Sequence, residues 1–529
     1  MPALYKKFDN WDLGVINARE ATSLPANAVY KSQNMYWRDG RWRKVPGLVE
    51  KNKTQIGTEG VWSIFKFYQP LDDKISLMAA SGESLYKFDE GAESFTEIES
   101  GMFPNQPVGF IEHLGKLYFG STKDLWRRYD GGLETYKVGL SEPPKKFPQI
   151  IFNEFAGRFF GVFEDGLYWS NHIDEGGIER WPDGNVQIFT PVRGGFPLHV
   201  ETFEGRITIF SKLAINSGTV VGPPESWSFE REKAQTGYIA PRTIKRWGNN
   251  FFGLTPSFEV YSWPSDQFIT KDRIKFAINP EFAKFACAEI VEDRYYYLSF
   301  RSTNVRGTSF ETSVAIHTLL GAPVSPPIYG LTTPTKLEDQ YHLWIYDILA
   351  DRWYGPHVQY SITSMYWDAD NNILLCGGID EFAGFVMEHR GKDIKNNASK
   401  IQWVGPFSDF DAPRIDKRFS KIWLRAKHEG VKPGGEGQVY LRVYVDGGYG
   451  NPQSQLVPLV DTSTPDNLIR DTASSTRELI IKRGHIHEQY GRGTNALVEL
   501  LHEYPKGDFE FSDFQMEYFL KYGKENRRT

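Results

Sequence analysis

The sequence predicts an all-β protein: a β-propeller of about six to seven blades, with an N-terminal arm and a C-terminal β-sandwich-like domain. Three observations predict it. Aromatic-rich hairpin signals recur at near-constant spacing, the recurring unit shows no helical periodicity, and the end of the chain switches to two-residue alternation.

The clearest unit is Gly115-Lys116-Leu117-Tyr118-Phe119-Gly120, followed by Leu125-Trp126-Arg127-Arg128-Tyr129-Asp130-Gly131-Gly132. It reads as two strands joined by a tight turn. The same signal opens at Asp73, Gly157, Gly205, Gly248, Asp293 and Asn371, so successive steps are 42, 42, 48, 43, 45 and 78 residues. Periods near forty residues with several strands per unit point to propeller blades. The physical reason is burial, because one hairpin cannot hide both of its faces. Sheets arranged around an axis bury aromatic faces against their neighbours. A string of separate hairpins or a β-sandwich is the competing architecture.

Residues 1–58 do not fit the repeat and read as an arm leading into the propeller, able to complete its last blade. Within them, Tyr36-Trp37 and Trp42 flank an Asp39-Gly40 turn, which is a hairpin signal. The blades occupy 59–413. Inside that span, 301–340 is a long loop insertion rich in Thr, Pro and Gly, including Pro323, Pro326, Pro327 and Pro334. Proline removes a donor and fixes φ, so this is no core strand; contact with a neighbouring subunit is its functional reading and disorder the plain one. The C-terminal β-domain is 414–529. Lys417–Ala426 and Gln438–Val445 alternate polar and apolar residues, as do the runs around Ile480, Leu497, Phe511 and Tyr518. The end, Lys524–Thr529, reads as a solvated tail.

Composition bounds the function. The 529 residues are 40% hydrophobic and 15% aromatic, enough for a sizeable core. A formal net charge of −6 argues against a sequence-reading nucleic-acid protein, while leaving room for a local basic patch. The two cysteines, Cys287 and Cys376, lie in apolar runs and read as buried free thiols. The start, Met1–Lys7, lacks the apolar core of a signal peptide, and no apolar run reaches the ~18 residues of a spanning helix. The expectation is a soluble protein made in a cytoplasm.

Candidate chemistry is sparse. Asp368-Ala369-Asp370-Asn371-Asn372 begins like a calcium loop, but the sixth position holds Ile373, and Asp380-Glu381 misses the twelfth. A turn between strands explains it better. His485-Ile486-His487 puts two imidazoles on one strand face with no third ligand. Gly434-Gly435-Glu436-Gly437 reads as a hairpin turn. The Ser-x-Asp-x-Gly-x-x-Trp box of sialidases, the Gly-x-Ser-x-Gly elbow and the Gly-x-x-x-x-Gly-Lys-Ser/Thr loop do not occur. No catalytic, cofactor-binding or metal-binding residues are assigned, and the chain reads as a non-enzyme without cofactors.

The layout resembles the tail hub and nozzle proteins of tailed bacteriophages, including the packaged-DNA stabilisation type. The residues that carry the resemblance are Leu24-Pro25-Ala26-Asn27-Ala28, Gln33-Asn34-Met35-Tyr36-Trp37-Arg38-Asp39-Gly40 and Arg43-Lys44-Val45-Pro46-Gly47. Hairpins of the form Leu85-Tyr86-Lys87-Phe88-Asp89 match next, then Lys417–Leu424 opening a terminal β-domain. The similarity spans most of the chain in organisation and is loose in residues. It implies a structural virion protein: a homo-oligomeric ring, usually six copies, below the head–tail connector or adaptor. Tail fibre or needle proteins would be further partners. Such a ring channels and retains double-stranded DNA until ejection, without reading its sequence. A mildly acidic wall suits that passage, since a basic one would hold the duplex. The alternative is a carbohydrate-binding or glycan-hydrolysing propeller, which would need paired carboxylates in a cleft.

Overall fold

A computed structural model of the chain describes residues 3–520, apart from 20–22, 70–72, 132–134, 138–145, 164–165, 175–176, 190–194, 304–339, 392–400, 407, 412–414, 429–438, 447–454, 459, 462–479, 487–491 and 503–508. The 301–340 insertion, Gly434–Gly437, His487 and the Lys524–Thr529 tail therefore fall wholly or largely outside the described residues. The protein is all-β: among the described residues the helical elements are single turns such as Pro241–Thr243. Among the described residues, no helix is long and apolar enough to cross a membrane.

Among the described residues, seven sheets of four antiparallel strands follow one another along the chain. Sheets 1 to 6 occupy residues 61–99, 109–137, 150–188, 197–231, 245–268 and 287–357, each with its strands paired in sequence order. Sheet 7 takes Ile362–Asp368, Ile373–Gly378 and Val386–Gly391 in order, then borrows its fourth strand from the opposite end of the chain, Gly47–Glu50. The borrowed strand is held in register, with Leu48 opposite His389 and Glu50 opposite Met387.

The two strands of each hairpin read from the sequence are the second and third of a sheet, and the turn residue that opens it joins the first strand to the second. These joins turn tightly because the turn residues adopt left-handed backbone: Asp73, Gly115, Gly157, Gly205, Gly248 and Asp293 all have φ between 48° and 74°. After each turn the second strand is apolar and buried, as in Leu117–Phe119, Phe159–Val162 and Tyr295–Phe300. Fully burying such a side chain contributes about 1.5–3 kcal/mol.

Each sheet touches the next. Phe65 stacks on Phe110 at 5.5 Å between sheets 1 and 2, and the His113 ring lies 3.9 Å from Phe152 between sheets 2 and 3. Asn153 Nδ2 donates to Thr202 Oγ1 at 3.3 Å, and Phe203 meets Phe251 edge-on at 5.3 Å. Lys245 Nζ reaches Glu289 at 2.9 Å, and Ser299 Oγ donates to the Ile362 carbonyl at 2.8 Å. Sheet 7 in turn touches sheet 1, where Ser364 Oγ donates to the Val61 carbonyl at 2.9 Å and Lys66 bonds Asp368 at 2.5 Å.

The remaining strands come from both ends of the chain. An eight-stranded sheet pairs Phe509–Leu520 with Lys417–His428 on one side, and with Leu4–Phe8 and Arg41–Lys44 on the other. A five-stranded sheet places Ile401–Val404 between Lys31–Gln33 and Ala496–His502. The two sheets share a core in which Trp403 lies 6.1 Å from Trp42, 5.4 Å from Phe511 and 5.8 Å from Phe514. N-terminal strands are thus built into sheets with strands from beyond residue 400.

Candidate functional site

The side chains with unusual chemistry gather in two places. The first is where the first strands of the sheets meet. In Pro197–Phe203 the alternation of a strand puts His199 and Glu201 on one face. There the His199 Nε2–H donates to Glu201 Oε1 at 3.0 Å. Burial alone would push the Glu201 carboxyl up. The His199 hydrogen bond and charge, with Gln149 and Lys245, outweigh it and hold the carboxyl below its ordinary range. One sheet further on, Lys245 neutralises Glu289. Around the same strands the lining turns aromatic: Phe65, Phe110 and Phe152, with Tyr366 packed 6.2 Å from Phe65. Burial, then the charges of Asp368 and Glu289, raise the Tyr366 hydroxyl to about 12. Arg242, just ahead of sheet 5, donates to the Thr363 carbonyl of sheet 7 at 2.5 Å, so it spans the width of sheet 6. Burial lowers its guanidinium, against the charges of Cys287 and Tyr341.

Chemically this is a charge-compensated network. The Glu201 carboxylate has an imidazole partner, and Glu289 is paired with Lys245. Glu201, held below its ordinary range, is not poised as the protonated acid that glycoside hydrolysis requires.

The second place is the seam where the N-terminal segment enters. The Asn34 N–H donates to His357 Nδ1 at 3.0 Å, and the Val358 N–H donates back to Asn34 Oδ1 at 3.0 Å. Ser32 Oγ accepts the Gly355 N–H at 3.0 Å, and the Tyr360 hydroxyl donates to the Pro46 carbonyl at 3.0 Å. His389, opposite Leu48, has its ring 5.5 Å from Tyr297 and 6.0 Å from Tyr360. Among the described residues, the buried Nε2 atoms of His357 and His389 have no hydrogen-bond partner. Burial pushes His389 down to about 4; burial and the neighbouring His389 and His342 push His357 down to about 3. Both imidazoles are neutral at pH 7.

The residues singled out by sequence are elsewhere. Asp368–Asn372 joins the first two strands of sheet 7, and its carboxylates are taken up locally. Asp368 accepts from Asn371 Nδ2 at 2.8 Å and from Lys66, which also reaches Asp370 at 3.4 Å. Cys287 and Cys376 are free and buried. His485 ends the strand Ile480–His485, and His487 is outside the described residues. Among the described residues, no group of three His, Cys, Asp or Glu could hold a metal ion. Sequence reasoning missed Glu201, Lys245, Glu289 and the two buried histidines. The one local signal was the His199-Val200-Glu201 alternation; the other partners come together only through the packing of sheets.

No family model matches the chain, and no curated protein does. Among solved structures, the computationally designed Ika8 protein overlays with a TM-score of 0.34 and 8% identity, over 70% of this chain and 99% of that one. The extracellular domain of the one-component system BT4673 from B. thetaiotaomicron overlays with a TM-score of 0.41 and 11% identity, over 79% of this chain and 59% of that one. Both scores are too low to carry a shared fold.

Proposed function

We propose that the seven four-stranded sheets are blades of one closed β-propeller, standing on a sandwich-like base made from both chain ends. We propose further that the chain is a structural virion protein, a hub or nozzle of a bacteriophage tail. It acts by assembling into a ring that channels and retains DNA, and it performs no catalysis. The observation that carries this reading is the borrowed strand: Gly47–Glu50 supplies the outer strand of the last sheet, and that sheet touches the one that follows Gly47–Glu50 in sequence. A ring of sheets joined that way opens only if a whole strand is peeled from its neighbour. The same N-terminal segment is anchored again, by Leu4–Phe8 along Phe509–Leu520. A wall that must stay shut around a passing polymer benefits from such locking. The resemblance of residues 24–47 and 417–424 to tail hub and nozzle proteins supplies the biological setting. A glycan-hydrolysing propeller is less well supported, because Glu201 and Glu289 are each engaged, by His199 and Lys245.

Light scattering and electron microscopy of the purified full chain test the reading. The expected result is a ring of several copies, six by resemblance. A monomer at every concentration that binds or cleaves glycans would overturn it.

A further inference from the structure

The tips joining first and second strands differ around the molecule. In sheets 4, 6 and 7 they are polar, carrying Glu204, Glu292-Asp293 and Asp370-Asn371-Asn372. In sheets 2 and 3 they carry Leu114 and Phe155, which are 73% and 66% exposed, and Ile75 beside the tip of sheet 1 is 50% exposed. Leu114 is the most telling. It stands at φ 50° and Gly115 follows at φ 70°, a turn that Asn, Asp or Gly occupies with least strain. A leucine there is both strained and wet, and the monomer gains nothing from it. These tips are neighbours: Glu112 accepts the Tyr68 N–H at 3.0 Å, His113 packs on Phe152, and a Cβ on Gly205 would lie 3.7 Å from the Phe155 ring. Exposed acids flank them at Asp73, Glu154 and Glu204.

A surface of opposite character lies on the outer face of the eight-stranded sheet. Tyr5 and Trp423 pack at 5.8 Å, and Tyr5 is 52% exposed. Lys7, Arg41, Arg43, Lys421 and Arg425 frame them. The acids of this face lie low: the side chains of Glu510, Asp513 and Glu517 are 13%, 12% and 6% exposed, against 50%, 40% and 48% for Lys7, Arg41 and Arg425. Asp9 and Asp39 are exposed acids at its margin. In a chain of net charge −6 this face sets its cations outermost around aromatic rings, each over an acid of the same face: Lys7 with Asp9, Arg41 and Arg43 with Glu510, Lys421 with Glu517, and Arg425 with Asp513.

We infer that the apolar tips of sheets 1 to 3 on one copy dock on the Tyr5–Trp423 face of a second copy, with Asp73, Glu154 and Glu204 meeting Lys7, Lys421 and Arg425. Apolar side chains form the centre of the contact and complementary charges its rim. Two different surfaces meet, so the contact is head-to-tail, the kind that closes into rings. The inference rests on the ring reading above.

The test uses the full chain. Leu114→Asp should weaken association at least tenfold while leaving the melting temperature unchanged or higher, because Asp suits the left-handed turn. Leu114→Cys and Arg425→Cys chains, mixed and treated with a bismaleimide, should cross-link only in the mixture; Cys287 and Cys376 are buried and do not compete. If the wild type forms rings, Leu114→Asp does not disturb them and no cross-link forms, the docking is wrong and the ring reading stands. If the wild type is monomeric at every concentration, both are wrong. If Arg425→Glu abolishes binding to a DNA duplex while assembly is unchanged, the face belongs to a polyanion and the docking is overturned.

Discussion

The backbone N–H of Asn34 is bonded to Nδ1 of His357, residues 323 positions apart, and the bond requires that imidazole nitrogen to be an acceptor. A protonated histidine has no acceptor. The seam between the N-terminal segment and sheets 6 and 7 is therefore tied to the neutral state of a buried ring.

Acid should loosen this seam. His357 and His389 fall to about 3 and about 4 in the folded chain, from an ordinary 6.5. Groups facing them are His342, itself pushed down to about 4 by burial and then Lys31, and the Tyr297 and Tyr360 rings. A folded pKa below the unfolded one gives stability that is complete above about pH 6.5 and is lost as pH falls toward the folded values. Each buried histidine contributes a slope of about 1.4 kcal/mol per pH unit in that window. Urea unfolding at pH 8, 7, 6 and 5 should show constant stability at the top and a steep loss below pH 6.5. His389→Phe should flatten the loss. Equal stability at pH 7 and pH 5 would show that these rings are not held neutral.

The borrowed strand should govern the integrity of sheet 7. Leu48 is 1% exposed and sits opposite His389. Leu48→Ala removes buried methyls and leaves a cavity, at a cost of about 2–5 kcal/mol. Leu48→Asp should release the strand and leave Val386–Gly391 as an open edge, which invites pairing between chains. Chemical denaturation measures the first effect, and aggregation followed by light scattering measures the second.

The hairpin repeat was legible because its turns need left-handed backbone, and Gly or Asp stands at each of residues 73, 115, 157, 205, 248 and 293. At residue 371 the left-handed residue is the next one, Asn372. The aromatic second strands followed from the same signal. The 78-residue step was legible too, as an insertion between the second strand Tyr295–Arg301 and the third strand Tyr341–Asp347 of sheet 6. Outer strands such as Gln267–Phe268 were not, since one exposed and one half-buried residue carry no periodic pattern. The arm was read as able to complete the last blade, but that Gly47–Glu50 is the strand that joins that sheet was open for a deeper reason. Pairing across more than 300 residues is decided by which sheet edge is left over after the others close, and no local window of sequence contains that. The same holds for Lys245 with Glu289, each an ordinary charged residue in its own strand.

In the five-stranded sheet, Glu499 should behave as a buried anion. Its side chain is 1% exposed; Arg442 lies at 3.4 Å, the Tyr444 hydroxyl donates at 2.7 Å, and Gln402 donates from the neighbouring strand. Arg442→Met strands the carboxylate and should cost about 3–5 kcal/mol. Replacing both with apolar residues should cost much less, because no charge is left unpaired. A double-mutant cycle on unfolding free energy checks this, and additive single effects would contradict it.

The junction of sheet 7 with sheet 1 should fail when a single methyl is added at Gly377. A Cβ there would lie 2.1 Å from the Val61 carbonyl oxygen and 2.1 Å from Ser364 Oγ. That carbonyl already accepts from Thr363 Oγ1 at 2.7 Å and from Ser364 Oγ at 2.9 Å, so it cannot swing away without breaking both bonds. Gly377→Ala must push the two sheets apart, at about 1–3 kcal/mol for the overpacking and more if the hydroxyl bonds are lost. Gly248→Ala is the control. It sits at φ 56° with nothing within 4 Å, so it bears only local strain of about 1–2 kcal/mol. If the sheets close on each other through this junction, Gly377→Ala lowers the melting temperature more than Gly248→Ala and splits a single unfolding transition into two. Equal shifts with one transition in both variants would mean that the contact between sheets 7 and 1 does not hold the fold together.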